Sequence, residues 1–474
     1  MVELLVGSVL ARAATVAPDG IAASLGDDRI SFSELDVAST RLAGVLAGKG
    51  IRHGARLAWR GRTSLDVVIL FAALARLGVT FVPINSLLGE AEAAEVIDRA
   101  DPEVLADDDW LAACMEEAAK SGASGRDGPE PVDTKAVKET DPQVIFFTSG
   151  STGRPKGVVL SHRANVLRSM ASNTTTPRGA TVCMFPLFHM ASWSLALGCW
   201  QCAEEIVFVH RADADILLAA VETRRARRLY AIPAVWARIL GSDLGAFDLS
   251  TLTDVDTGTS ATPPELIAAL REAFPATSTH ILYGSTEAGP ATVLGPEDLA
   301  AKPGSVGRPA TGVQLRLSDT GEVLVRSAFL MDGYFRDPEA TAAALDGGWY
   351  HTGDLGSLDS ERYLSIVGRA RDVIRTGGET VAPVEVEAAV GSHDAVAEVA
   401  VVGVPDPAWG EVVCAAVVLR PGTELDLAAL QTHCAGQLAK FKLPRRLVVV
   451  DALPRTAATG QVQRTLLLER LGLT

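Results

Sequence analysis

Apolar positions along the chain switch repeatedly between two spacings. From Ser64 to Ala106, SLDVVILFAALARLG is helical, VTFVP is a short buried strand, GEAEAAEVIDRA is helical again, and EVLA is another strand. Short buried strands joined through helices imply a parallel sheet covered on both faces. The same alternation recurs at ARRLYAIPAVWARIL (226–240) and DVDTGTSATPPELIAALREAF (254–274), and VIFFT (144–148) is a further buried strand. The polar stretch SGASGRDGPEPVDTKAVKETDP (121–142) that leads into it reads as a surface connection. After about residue 366 the units shorten to EVEAAVGSHDAVAEVAVVGVPD and EVVCAAVVLRPG, the helix-and-hairpin pattern of a small α+β domain. The fold class expected is α/β: a large N-terminal domain of parallel-rich sheets layered with helices, followed by a small α+β domain.

A chain of 474 residues is too long for one compact core, which agrees with this division. Apolar residues at 48% and charged ones at 21% are the balance of a globular protein, and a net charge of −15 argues against a nucleic-acid partner. MVELLVGSVLARAA has an early Glu3 and no basic leader, so it lacks the charge order of a secretory signal. No apolar run is long enough to span a bilayer, so no membrane association and a cytoplasmic location are expected. Six scattered cysteines suit reduced thiols. Cys199 and Cys202 in CWQC have redox or zinc spacing, but their flanks are apolar and no second pair accompanies them, which favours core packing.

Candidate chemistry begins at Thr148, where TSGSTGRPKGVVLSH follows the strand VIFF. Small residues let backbone N–H groups approach phosphate oxygens, hydroxyls add donors, and Lys156 adds a positive charge, so the loop suits a polyphosphate. It is not the Gly-x4-Gly-Lys-Ser/Thr phosphate loop, and taken alone it reads more readily as a plain turn than as a phosphate cradle. In YGSTEAG (283–289), Thr286 can donate to an α-phosphate and Glu287 offers a hard oxygen ligand suited to Mg²⁺; the bland alternative is a helix cap. In YHTGDLG (350–356), Asp354 can accept from two ribose hydroxyls and Arg369 can donate to the same sugar, unless Asp354 is a surface turn residue.

With PLFHMAS (186–192), GRARDVIRTGGETVAPVEVE (368–387) and FKLPR (441–445), these motifs stand in one order, and the chain resembles the adenylate-forming superfamily of acyl-CoA synthetases, firefly luciferases and nonribosomal-peptide adenylation domains. The match runs from about residue 30 to 464. The resemblance implies a nucleotide site made by Thr148, Ser149, Gly150, Ser151, Thr152, Gly153, Lys156, Ser260, Ala261, Tyr283, Gly284, Ser285, Asp354 and Arg369. It implies that Thr286, Glu287, His189 and Arg375 serve catalysis, with His189 near the substrate carboxylate and Glu287 holding Mg²⁺. It further implies an N-terminal domain over 1–370 and a mobile lid over 371–474 that rotates about Arg371 between adenylation and thioester formation. Gly377, Gly378 and Glu379 would then border the pantetheine tunnel, where bare backbone leaves room for a narrow thiol arm.

One position departs from the family. In PRTAATGQVQR (454–464) the glycine should be followed by the lysine that bridges the attacking carboxylate and the α-phosphate, and Gln461 stands there instead. Losing one such donor costs about 3 to 4 kcal/mol, roughly 10²–10³ in rate. The expected cofactors are ATP or AMP, Mg²⁺ and coenzyme A, and the expected partners are a carboxylic acid or an acyl-adenylate, the latter supplied by a separate adenylating enzyme. The leading expectation is an acyl-CoA synthetase-like ligase with weak or absent adenylation. Alternatives are a complete ligase, transfer to a carrier-protein pantetheine, and a non-catalytic acyl- or nucleotide-binding protein. MASWSLALGCWQC after His189 reads either as acyl-pocket lining or as helix core.

Overall fold

The computed structural model describes residues 3–123, 136–149, 154–173, 179–456 and 460–473. The chain divides into two compact units, one of Met1–Leu315 with Val325–Tyr350 and the other of Arg316–Leu324 with His351–Thr474.

Two sheets organise the first unit. In one, Ile21–Leu25, Ile206–Phe208, Thr181–Cys183, Arg228–Tyr230, Asp254–Gly258 and Ser278–Ser285 lie side by side in parallel, and antiparallel strands finish both edges. In the other, Val104–Ala106, Arg56–Trp59, Thr80–Pro83 and Pro142–Ser149 are parallel, and Pro155–Ser161 and Gly333–Tyr334 add antiparallel strands. The strands are therefore parallel-rich, as the alternation of strand and helix predicts, but antiparallel strands finish both edges of the first sheet and one edge of the second. Helix Leu65–Leu77 packs against Thr80–Pro83 of one sheet and Ile21–Leu25 of the other. Its sequence LDVVILFAALARL is apolar on all sides because both sides are covered. Ser64 caps its start by accepting from Val67 N, and Gly78 ends it in the left-handed conformation. Helix Asp108–Ala123 runs three residues into the stretch read from sequence as a surface connection, and 124–135 lie outside the described residues.

The second unit is built on the hairpin of Val396–Asp406 and Gly410–Leu419, with Arg446–Val449 added in parallel. Ile374–Thr376 joins this sheet at Thr376↔Gly410 and folds back as Glu379–Val381. Val401, Val413 and Val417 face a core shared with Val386, Val390 and Leu430 of helices Pro383–Gly391 and Leu427–Cys434. The alternate residues Ala400, Val402 and Ala416 meet Leu467 of helix Arg464–Arg470 on the opposite face. Both faces are covered, which is why VAVVGV reads as continuously apolar. Strand Trp349–Leu358 continues into this unit and pairs with Leu364–Arg369. Among the described residues no helix is long and apolar enough to cross a membrane.

Candidate active site

The residues singled out from sequence are divided between the two units. In the first unit, Thr148 and Ser149 end strand Pro142–Ser149, and Pro155–Ser161 returns antiparallel with Thr148↔Lys156 and Ser149↔Pro155 in register. Directly opposed residues share a face of the sheet, so Lys156 and Thr148 stand together at the mouth of the loop. Gly150, Ser151, Thr152 and Gly153, which form the loop itself, lie outside the described residues.

Tyr283, Gly284 and Ser285 end strand Ser278–Ser285, and the chain turns through Thr286–Glu287 into Gly289–Leu294. A Cβ on Gly284 would sit 2.2 Å from the carbonyl oxygen of Gly289, so only glycine lets the two arms approach this closely. Ser285 Oγ tightens the turn by accepting from Ala288 N at 3.0 Å. Thr286 and Glu287 thus occupy a hairpin turn, and the helix-cap alternative fails. Ser260 and Ala261 follow strand Asp254–Gly258, next to Thr259, whose φ of +69° is strained for a β-branched residue.

His189 lies beyond strand Thr181–Cys183, where it caps helix Met190–Gln201 by accepting from Ala191 N on Nδ1 at 3.1 Å. That bond assigns the ring proton to Nε2. The ring stacks on Phe185 with centroids 5.0 Å apart, and burial pushes its pKa down to about 4, so His189 is a neutral N–H donor. All these positions lie past the carboxyl ends of strands that run parallel within their sheets, where ligands bind in open α/β folds. The helix after His189 is core: Trp193 is buried, stacks on Phe71 at 4.0 Å and donates from Nε1 to Leu187 O. Cys199 is likewise buried, whereas Cys202 is exposed; neither forms a disulfide, and no metal-binding cluster occurs among the described residues.

Two residues that sequence reasoning missed tie this group together. Arg168, fully buried, donates from Nη1 to Thr286 O at 2.9 Å and from Nη2 to Phe329 O at 2.7 Å. Tyr334 donates its hydroxyl to Glu287 Oε1 at 3.1 Å, and Lys156 Nζ lies 5.0 Å from the centre of its ring. Arg168 is one of two arginines in helix HRANVLRSMASN, so nothing in the sequence singled it out, and the partner of Tyr334 is 47 residues away. Beneath Thr257–Ala261, Asp256 is buried between Arg228 and His280 on the neighbouring strands. Burial opposes ionisation there, and the two partners overcome it: Asp256 is held below and His280 above its ordinary value.

In the second unit Asp354 and Arg369 are register partners across Trp349–Leu358 and Leu364–Arg369, and Arg369 Nε lies 2.7 Å from Asp354 Oδ1. Asp354 is only 7% exposed and belongs to a strand, so the surface-turn alternative fails. Arg371 and Arg375 are exposed; Arg371 reaches Asp372 at 3.5 Å, and the Arg375 backbone N–H donates to Glu411. Gly377 and Gly378 form the two-residue turn between Ile374–Thr376 and Glu379–Val381, with φ of +60° and +85°. Both positive angles match the twist of a tight hairpin. Gly377 N–H donates to Trp409 O at 2.8 Å, and a Cβ there would meet the Trp409 ring, whereas a Cβ on Gly378 would meet nothing. Gln461 is exposed, and its N–H donates to Thr456 Oγ1 beside the bridge Arg455↔Val462; residues 457–459 lie outside the described residues.

The sequence profile described as AMP-binding enzyme matches residues 10–335, and that of the AMP-binding enzyme C-terminal domain matches 385–459. The chain belongs to the AMP-binding enzyme family. It is 33% identical to an indoleacetate–CoA ligase of Aromatoleum aromaticum, over 96% of this chain and 95% of that protein. It is 34% identical to a CoA ligase for a methyl-dioxo-octahydroindenyl propanoyl group of Mycobacterium tuberculosis, over 98% of each. Among solved structures, the o-succinylbenzoate CoA synthetase of Bacillus subtilis with its acyl-adenylate intermediate matches with a TM-score of 0.86 and 26% identity, over 97% of both chains. That enzyme has also been solved with ATP and a magnesium ion. The chain is thus an adenylate-forming enzyme of the acyl-CoA ligase type.

Proposed function

We propose that this protein joins a carboxylic acid to coenzyme A through an acyl-adenylate, and that its adenylation half is weak, so that it works chiefly on acyl-adenylate made by another enzyme. In the first half-reaction a carboxylate oxygen attacks the α-phosphorus of ATP and pyrophosphate leaves. In the second the CoA thiol loses its proton, attacks the acyl carbon and expels AMP. Thr286, Lys156 and the loop after Thr148 would bind phosphates, Asp354 and Arg369 the ribose, and His189 Nε2–H the acyl oxygen. Arg371 is the proposed hinge between domains 1–370 and 371–474, and the Gly377–Gly378 turn with Glu379 would border the thiol arm, near exposed Arg375.

Glu287 fits a Mg²⁺ ligand: it is half-buried, Oε1 accepts from Tyr334, and no described residue hydrogen-bonds Oε2. One carboxylate plus substrate phosphates is a usual Mg²⁺ environment, and the ion would offset phosphate charge.

The observation that carries the weak-adenylation reading is the neutral tip of the last motif. Three of the four cations near Gln461 that could replace a lysine are engaged within the same unit, Arg455 with Glu398, Arg464 with Asp372 and Glu387, and Lys442 with Glu385, while Lys440 is exposed and has no ion pair among the described residues. Recruiting one of the three would break a charge pair. The complete-ligase reading is favoured by the retained Glu287 and Lys156. Acid-dependent pyrophosphate release, measured for the wild type and Gln461→Lys, separates the two. On the proposal the variant gains roughly 10²–10³ in rate while conversion of synthetic acyl-AMP and CoA to thioester stays unchanged. Equal pyrophosphate release from both proteins would establish the complete ligase instead.

A further inference from the structure

Tyr334 touches two groups that the proposed reaction needs. Strand Gly333–Tyr334 pairs antiparallel with Pro155–Ser161 at Tyr334↔Val158, two residues from Lys156, which brings the aromatic face within reach of the ammonium. The hydroxyl meets Glu287 Oε1 at 3.1 Å.

Both ends of this arrangement are held by independent contacts. Met331 N–H donates to Glu287 O at 2.8 Å, and Arg168 bridges Thr286 O and Phe329 O, so the turn bearing Glu287 and the segment leading to Tyr334 are pinned together. On the other side Tyr334 N–H donates to Thr341 Oγ1 at 2.8 Å, and Asp337 caps the helix Pro338–Ala344 that follows. In this contact the hydroxyl is the donor and the carboxylate oxygen the acceptor. A neutral donor orients a carboxylate without cancelling its charge. A carboxylate that must receive a cation needs that property, and an arginine in the same place would compete with the metal.

We infer that Tyr334 is a positioning residue for the phosphate and metal site. Its hydroxyl fixes Glu287 by one oxygen and leaves the other for Mg²⁺, while its ring steadies Lys156 for the polyphosphate through a cation–π contact. The inference rests on the reading of Glu287 as the metal ligand.

Binding of α,β-methylene-ATP, which cannot be adenylated upon, tests this without any turnover. Calorimetric titrations of the full chain in excess Mg²⁺ and in EDTA give the factor by which the metal strengthens binding. Tyr334→Phe keeps the ring and removes only the hydroxyl, so that factor falls about tenfold while the affinity in EDTA stays within about twofold of wild type. Tyr334→Leu removes the ring as well, and the affinity in EDTA then drops several-fold too. A merely structural role would lower the melting temperature, or both affinities together, and leave the Mg²⁺ factor unchanged; that result in Tyr334→Phe overturns the inference. If Tyr334→Phe does not fold, Tyr334→Leu with an unchanged Mg²⁺ factor overturns it equally. Glu287→Gln separates the two levels. A wild-type Mg²⁺ factor in that variant removes the metal-ligand reading and this inference with it, whereas an abolished factor there beside an unchanged one in Tyr334→Phe removes this inference alone.

Discussion

Asp354, proposed to hold the ribose, is already paired within the protein. Arg369 Nε sits 2.7 Å from its Oδ1, and its backbone N–H is tied to Thr352 Oγ1 at 3.0 Å, so the side chain is placed before any nucleotide arrives. Charge-assisted bonds to two ribose hydroxyls contribute about 1.5 to 3 kcal/mol each in a shielded site. Asp354→Ala is therefore expected to weaken AMP binding at least tenfold, and the loss should shrink for a 2′,3′-dideoxy analogue that cannot make the contact. Titration calorimetry on the four combinations decides it: equal losses for both ligands would mean that Asp354 acts through the fold and not on the ribose. Gln461 belongs to the same scale, since replacing an ammonium by an amide changes one interaction without disturbing the backbone that presents it.

The hairpin Ile374–Thr376 and Glu379–Val381 shows how an element's geometry divides two adjacent glycines. Gly377 is confined by both its +60° φ and the Trp409 ring, 2.6 Å from where a Cβ would lie, so it supports the fold. Gly378 has a positive φ but open space beside it, so what it contributes is clearance. Gly378→Trp is expected to block conversion of acyl-AMP and CoA to thioester while leaving AMP affinity nearly unchanged, at a backbone cost of about 1–2 kcal/mol that a melting curve will register. Thioester formation at the wild-type rate would end the tunnel assignment. The hairpin of Pro142–Ser149 and Pro155–Ser161 follows the same logic, because its register, not its sequence spacing, makes Thr148 and Lys156 neighbours.

Across the larger unit, buried histidines link stability to pH. His162 and His189 both have pKa values pushed down to about 4 by burial, against 6.5 for the free side chain. The unfolded chain binds their protons from about pH 6.5 downward and the folded chain does not, so their contribution is full above 6.5 and is lost as pH falls towards 4. His280, raised by Asp256, acts in the opposite sense: its contribution is present below 6.5 and is lost as pH rises through its folded value. Below pH 6.5 His280 is protonated in both states and opposes nothing, so the two buried histidines make stability decline on acidification from pH 6.5 to 5, by about 1.4 kcal/mol per pH unit for each net proton taken up on unfolding. His162→Gln keeps an acceptor for the Val6 N–H, which His162 Nδ1 now accepts at 3.3 Å, and removes one titrating group. Melting temperatures across that range should therefore fall less steeply in the variant; an unchanged slope would show that His162 does not titrate on unfolding.

The order of strands and helices, the parallel-rich sheets and the family were legible in the sequence, because each rests on local hydrophobic period or on motifs of contiguous residues: LDVVILFAALARL is buried on all sides as its composition demands, and YGSTEAG carries its turn glycines within seven positions. The absence of a charge at Gln461 was equally local. What required the tertiary structure was every relation set by packing between distant segments. MASWSLALGCWQC could be pocket or core until Trp193 was seen stacked on Phe71. Asp354 and Arg369 were separate ribose candidates until strand register made them an ion pair. Tyr334 and Arg168 carried no motif at all, since a hydrogen bond spanning 47 or 118 residues leaves no periodic trace in the chain and exists only once the sheets have placed its two ends together.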